Sequence, residues 1–465
     1  MANDLLTSDI EMSTPPKRSP FSSMRHPQYR WLYASNMAFF FAMQGQMIVR
    51  SYLAFKLTHS ALMLGLVNLA MAIPMLLVSP FGGVIADRVE KRRLIIAGQG
   101  ILITSEFVIF ALLLGGKLEF WHLLAFVFVM GCIFPVIMPA RQAIVVNIVG
   151  LEGLQNAMAL SMGGMNAARV VAPALAGFLI FAVDVKGAYL VSIALYLAGL
   201  TTMLKVSQSP PVPRTNKASV FGDMAEGFRF VKNSPPLRTL MLVGLIPPLF
   251  AMPFQSLIVV FTEDVWHVES WGLGVLQASA GLGGVVGAFV IAFWGETDRK
   301  LRLMIGGVLG FAASLLLFSA SPWFLLAIPF VFVAHVFASM FQTSNSTVTQ
   351  LLVPDHVRGR VMSLGMMTFG LTPLGAVPIA AAAQAWGAPI AVGGASIVAA
   401  ALIGIAYLIS PTLRGIDDVV RKAMEEAGHR RGPGAWGAAP PPALRPPISQ
   451  PSEVEAQPVA IAGGQ

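Results

Sequence analysis

Apolar residues fill long stretches of the chain, and charged residues gather almost wholly between them. Twelve apolar runs stand out, at 31–53, 61–86, 94–115, 120–142, 156–182, 188–206, 237–262, 272–294, 303–320, 323–347, 361–383 and 388–410. Each is close to the 20 or so residues that a helix needs to cross a hydrocarbon core of about 30 Å. The pattern predicts an all-α membrane protein with twelve transmembrane helices. The first 30 residues are polar, with Pro15, Pro16, Lys17 and Arg18, and lack the apolar run and small-residue cleavage site of a signal peptide. From Gly428 onward Pro, Gly and Ala dominate, a composition expected of a disordered tail.

The only long polar stretch between apolar runs is 207–236, with Pro210, Pro211 and Pro213 followed by an amphipathic piece at 221–231. It divides the chain into six predicted spans on each side. The expected organisation is an N-terminal tail (1–30), a six-helix bundle (31–206), a linker (207–236), a second six-helix bundle (237–410) and a C-terminal tail (411–465), with the two bundles pseudo-symmetric. Two weak internal matches support duplication. Asp87-Arg88 follows the second run and Asp298-Arg299 the eighth, 211 residues later; Pro173 in the fifth run corresponds to Pro373 in the eleventh, 200 residues later. Duplicated halves with a substrate site between them are a common plan of secondary transporters.

Composition narrows the class. Of the 465 residues, 55% are apolar and 12% charged, against about 25% charged in soluble domains. A single cysteine, Cys132, excludes a disulfide framework and a cysteine metal cluster. The net charge of +8 would suit nucleic acid only if the basic residues formed a patch, and they are scattered over juxtamembrane loops. With both termini placed in the cytoplasm, 26 of the 31 Lys and Arg residues fall on that side. Arg50, Lys56, Lys117 and Lys186 fall on the other, and Arg169 lies inside a span. This is the positive-inside distribution. Arg141 marks the inner end of the fourth span in this scheme.

The loop after the second span reads Gly82-Gly83-Val-Ile-Ala-Asp87-Arg88-Val-Glu-Lys91-Arg92-Arg93. Glycines let helices approach closely, and an acid at a helix terminus can pair with a base or a neighbouring helix dipole. Such a pair could latch two bundles together in one conformation, or the cluster could simply set topology. The stretch resembles the signature loop of the major facilitator superfamily, with Gly83, Asp87, Arg88, Lys91 and Arg92 in register and Glu90 in place of the usual second glycine. The second-half copy around Asp298 and Arg299 is one residue short. Further segments resemble the siderophore-exporter-like (enterobactin exporter type) bacterial efflux branch: Leu57-Thr-His-Ser-Ala61, Pro139-Ala-Arg141-Gln142, Asn166-Ala-Ala-Arg169-Val-Val-Ala-Pro173 and Arg358-Gly-Arg360-Val-Met-Ser363. The resemblance implies the major facilitator fold, alternating access and a place in the cell membrane as a multi-pass protein. Ala172-Pro173-Ala-Leu-Ala-Gly177 is similar to the antiport element of drug/proton antiporters, with alanine at two glycine positions; it could equally be a packing kink.

Ionisable groups within spans are functional candidates. Glu106 and Arg169 lie at similar depth in the third and fifth runs, so they could form a buried pair, or Glu106 could carry a proton. The resemblance places the first, fourth, seventh and tenth spans around the cavity. Its polar candidates are Asn36, Gln44 and Gln46, then Gln255, then His335, Gln342 and Asn345, the last two sharing a helix face. Interhelical hydrogen bonding is the plainer role for each. Gly283 and Gly287 lie inside a span and read as helix packing, since their spacing fails the dinucleotide fingerprint. No phosphate loop or His-Glu-x-x-His site is present, so the expectation is a transporter rather than an enzyme, without cofactor or metal. Its expected partners are a small-molecule substrate, protons and the bilayer. Proton-coupled efflux of an amphiphilic compound is the expected activity. Import or lysophospholipid-type transport on the same fold is the alternative, with a membrane-embedded sensor or enzyme more remote.

Overall fold

A computed structural model describes residues 21–208, 220–294, 300–354 and 371–422, with isolated positions between 355 and 370; the side chains of several helical positions, Asp87 among them, lie outside the description. All regular elements among the described residues are helical. The first half contains α1 (Pro27–Thr58), α2 (Ala61–Arg88), α3 (Lys91–Leu114) and the long run α4 (Phe120–Leu204). That run is broken at Gly150 (φ 66°) and again at Val183–Asp184, where Asp184 takes φ 60°. It therefore forms three consecutive helical parts, 120–149, 151–182 and 185–204. Glycine tolerates the left-handed region without a Cβ clash, which suits it to the first break.

A short amphipathic helix, α5 (Val220–Asn233), leads into α6 (Pro235–Ile246). The next span is irregular. Pro247, Pro248 and Pro253 withdraw backbone donors, and the chain passes through a π-turn (Pro247–Ala251), α7 (Phe254–Val260) and a second π-turn (Phe261–Val265). The second half continues with α8 (Trp271–Trp294), α9 (Lys300–Ser319), α10 (Phe324–Leu352), α11 (Thr372–Trp386), α12 (Ala388–Ile409) and the single turn α13 (Pro411–Arg414).

Nine helical stretches among the described residues are long and apolar enough to cross a membrane, and one of them, Gly153–Leu204, holds the break at Asp184 and so two spans. Helix α1 has the length at 32 residues. It falls outside the nine because Asn36, Gln44 and Gln46 dilute its apolar character. The described part of α11 is only 15 residues long. The expected run at 361–383 thus lies largely outside the described residues.

Within the first half, α1, α2 and α3 all pack on α4; within the second, α8 and α9 pack on α10, and α12 packs on α9 and α11. The halves meet through α2 against α11, α4 against α8, and α1 against α7. The beginning of the C-terminal tail, ahead of the stretch from Gly428 that is expected to be disordered, is packed. Leu413 and Ile416 are fully buried, Val420 is nearly so, and the Asp417 carboxylate accepts a hydrogen bond from the Leu301 backbone N–H at 2.8 Å. Three apolar side chains at i, i+3 and i+7 give this segment a packed face, enough to hold it against the second half.

Candidate functional site

The functional geometry is the way the two halves touch. Chain direction gives the molecule two ends: one, the termini end, carries the first and last described residues and α5, the other the α1–α2 and α7–α8 turns. At this second, distal end the halves are sealed. The Lys56 ammonium donates to the Glu263 carboxylate at 2.7 Å, and the Ser60 hydroxyl donates to Gln384 Oε1 at 2.8 Å. Lys56 lies beyond the end of its span, and its bond to Glu263 holds the ammonium pKa above the ordinary lysine value. Deeper in, Gly177 of α4 crosses so close to Gly274 of α8 that a Cβ would overlap the backbone of α8. Gly281 meets Val170, and Gly65 of α2 meets Ala380 and Val377 of α11 in the same way. A cleft of about 390 Å³ above this seal is lined by Tyr52, Lys56, Phe181 and Glu263.

Followed toward the termini end, the same helix faces separate. On α8 the face of Gly274 and Gly281 continues through Val285, Ala288 and Ala292, all exposed. On α4 the face of Val170, Ala174 and Gly177 continues back through Asn166, Gly163 and Ala159, all exposed. A contact face that is buried at one end and bare at the other means that the halves splay, leaving a cavity open toward the termini end. Arg169 lies between the side of α4 that meets α1 (Ala172 and Ala176 against Gly45) and the side that meets α8. It is exposed, facing this opening.

Glu106 and Arg169 do not meet. Glu106 is fully buried inside the first half, where the Gln46 side-chain N–H donates to its Oε2 at 3.0 Å. One turn along α1, Arg50 donates from Nε to the Gln46 carbonyl and sets NH1 2.8 Å from Met130 Sδ, with its guanidinium 5.4 Å above the Phe126 ring. Arg50, counted from the sequence among the charges on the non-cytoplasmic side, is therefore a core residue, 6% exposed. Arg141 is likewise buried instead of marking a helix end. It donates to the Asn36 side-chain oxygen and stacks 4.2 Å over the Phe39 ring. Asn36 and Gln46 thus turn into the first half, away from the cavity that the resemblance assigns them. Gln44 is half-buried beside them on α1.

In the second half, His335 Nδ1 lies 3.0 Å from the Val331 carbonyl, and Nε2 lies 3.2 Å from Gln255 Nε2. A carbonyl can only accept, so Nδ1 carries the hydrogen, and Nε2 accepts from the glutamine amide. This arrangement is a neutral imidazole, packed between Phe254 and Phe311. Gln342 is exposed, and Asn345 is half-buried with its Oδ1 lacking a partner and its Nδ2 toward Gly244. Gly283 and Gly287 lie under α10, where a Cβ would strike the Phe332 and Val336 carbonyls. Pro173 is buried on α4, and Pro373 is half-buried in the first turn of α11.

The loop motif is partly visible. Gly83 sits inside α2, Lys91 is buried, and Arg92 donates at 2.7 Å to the Leu204 carbonyl, satisfying a helix C-terminus within its own half. Arg88 is exposed. Asp298 and Arg299 lie outside the described residues, as do Arg358, Arg360 and Ser363.

Comparison with known proteins agrees with this architecture. Residues 18–429 match the family described as transmembrane secretion effectors. The staphyloferrin A transporter of Staphylococcus aureus is 25% identical over 344 residues, covering 71% of this chain and 83% of that protein. The multidrug efflux pump Tap of Mycolicibacterium fortuitum is 26% identical over 386 residues, covering 79% and 91%. An enterobactin exporter of Shigella boydii is 26% identical over 312 residues, covering 66% and 73%. Among solved structures, the nucleoside transporter NupG superposes with a TM-score of 0.65 at 12% identity, covering 86% of this chain and 99% of that one. A bacterial homologue of the human lysosomal transporter Spinster, inward-facing and unoccupied, superposes with a TM-score of 0.64 at 16% identity, covering 86% and 92%. The chain belongs to the transmembrane secretion effector family of the major facilitator superfamily, a family of membrane transporters.

Proposed function

We propose that this protein exports small amphiphilic compounds across a cell membrane by alternating access, driven by the proton gradient. The observation that supports it is the one-ended seal: closed at Lys56–Glu263 and Gly177–Gly274, open along Val285–Ala292 and Ala159–Asn166. Two halves that touch along only part of matching faces can exchange one seal for another by rocking, as repeat-built transporters do. Placing both termini in the cytoplasm, as the Lys and Arg distribution favours, makes the open end the loading side. The cavity offers exposed Met162, Arg169 and Gln342. Flexible apolar side chains with few charges suit varied amphiphiles better than hydrophilic nutrients. Efflux relatives for siderophores and drugs favour the same direction.

The test uses purified protein in liposomes under an imposed pH gradient, with ethidium, a macrolide and enterobactin as probes. Accumulation of any probe that follows the gradient and collapses with a protonophore supports the proposal. Lysophospholipid or nutrient uptake, with no gradient-driven movement of the three probes, would replace it with import on the same fold.

A further inference from the structure

Several features of the first half remain unused by the transport geometry, and they gather around one carboxyl group. Glu106 and Gln46 are each 0% exposed and share one hydrogen bond, Gln46 Nε2 to Glu106 Oε2 at 3.0 Å. The remaining oxygen of each, Glu106 Oε1 and Gln46 Oε1, is buried and has no hydrogen-bond partner. Both are acceptors, so neither can satisfy the other, and buried acceptors without donors are rare because each forfeits the bond it would make to water. One proton resolves both at once. Placed on Glu106 Oε1, it makes the carboxylic acid a donor toward Gln46 Oε1. The amide and acid could then pair in a ring, with the recorded N–H bond to Glu106 Oε2 and a new O–H bond to Gln46 Oε1.

The charged alternative is also built in. Arg50 lies one turn from Gln46 on the same face of α1 and interacts electrostatically with Glu106. Its present partners are weak ones for a guanidinium, a backbone carbonyl, the Met130 sulfur and the Phe126 ring. The other ionisable groups facing the pair come from α4: Tyr189 and Tyr196 on its third part, both fully buried, and Arg141 on its first part, within reach of Tyr196. The Tyr189 hydroxyl has no partner either. No second carboxylate is among these groups.

We infer that Glu106 is the proton-binding group of this transporter, held by Gln46 when protonated and drawn to Arg50 when ionised. This site is separate from the substrate cavity. The inference rests on the proposed proton coupling and deepens it. The link to transport is α1 itself. Gln46, Arg50 and Lys56 follow one another on that helix, so an exchange of Glu106 between Gln46 and Arg50 acts on the helix that carries the distal seal. A proton on one side of the membrane would thereby bias which end is open.

The deciding experiment needs no transported compound. Purified protein is examined by infrared difference spectroscopy between alkaline and acidic buffer, which reads the carbonyl stretch of a protonated carboxylic acid in an apolar setting. The expected result is one such band in the full chain, lost in Glu106→Gln and shifted in Gln46→Leu, which removes the ring partner. Absence of the band in the unaltered protein overturns the inference, and so does its survival in Glu106→Gln; the first arm requires no variant to fold. In liposomes, Glu106→Gln is expected to lose at least tenfold of gradient-driven ethidium movement while counterflow exchange of ethidium persists. A variant that keeps full gradient dependence also overturns the inference. If the band behaves as expected and no probe is exported, the proton site stands and the efflux reading falls.

Discussion

At the scale of single residues, the first half carries more buried polarity than a bilayer-embedded bundle can hold unpaired. Arg141 is the sharpest case: 2% exposed, bonded to Asn36, stacked on Phe39, with Nε and one NH2 left unpartnered. Removing its one side-chain acceptor leaves a buried charge with less than it has now. Asn36→Leu is therefore expected to destabilise the protein by about 1.5–3 kcal/mol, the range for a hydrogen bond to a charged group. Thermal unfolding in detergent followed by tryptophan fluorescence measures it; an unchanged midpoint would show that Arg141 finds another acceptor at no cost. Arg141→Lys is expected to fare little better, since a lysine cannot keep the planar stacking on Phe39. Both arginines were misplaced by sequence reasoning for one reason. Distance from the middle of a span says how deep a charge lies, not which way it turns. The available signal was the polarity of α1 itself, in which Gln46 and Arg50 share a face at i, i+4 and could answer the lone acid of α3.

Among elements, the crossing of α4 with α8 controls how tightly the distal end can close. Gly177 and Gly274 bring two backbones into contact, which any side chain forbids. Gly177→Val should hold the distal end ajar and favour the opposite opening. In a Cys132→Ser background, which removes the native thiol, a cysteine replacing the buried Ile180 beside the distal cleft reports it. Its labelling by an impermeant thiol reagent is expected to rise severalfold with Gly177→Val; unchanged labelling would mean that the crossing does not gate this end. How far elements were legible follows from what the hydropathy pattern measures. Runs of apolar residues located the helices well, because burial in lipid requires them. The pattern could not show that Leu413, Ile416 and Val420 dock the start of the C-terminal tail, since a short amphipathic segment depends on the surface it meets. Nor could it show that three prolines would turn the seventh span into α-helix interrupted by π-turns.

Across the whole molecule, the proposed alternating access makes this state one of two, and among the described residues Lys56–Glu263 is the one ion pair recorded between the halves. Lys56 is 42% exposed and Glu263 17%, so water and salt screen much of the attraction. Such a pair is worth about 0.2–1 kcal/mol, and the upper figure corresponds to roughly a fivefold change in a two-state ratio. Lys56→Met is thus expected to move the population toward the distally open state by no more than about fivefold, without affecting folding. The pH dependence has a definite sign. The bond to Glu263 raises the folded pKa of Lys56, so its contribution is complete below the ordinary lysine value and is lost as the pH rises through the higher folded value. The part of distal opening that this pair controls should therefore increase in strongly alkaline buffer, and Lys56→Met should abolish that part. Spin labels on cysteines replacing the exposed Lys186 and Trp386, one in each half at the distal end, read the separation directly. Should the distances lengthen with alkali equally in both proteins, the ion pair is not the distal latch. The seal would then belong to the glycine crossings, which no pH change in this range can reach.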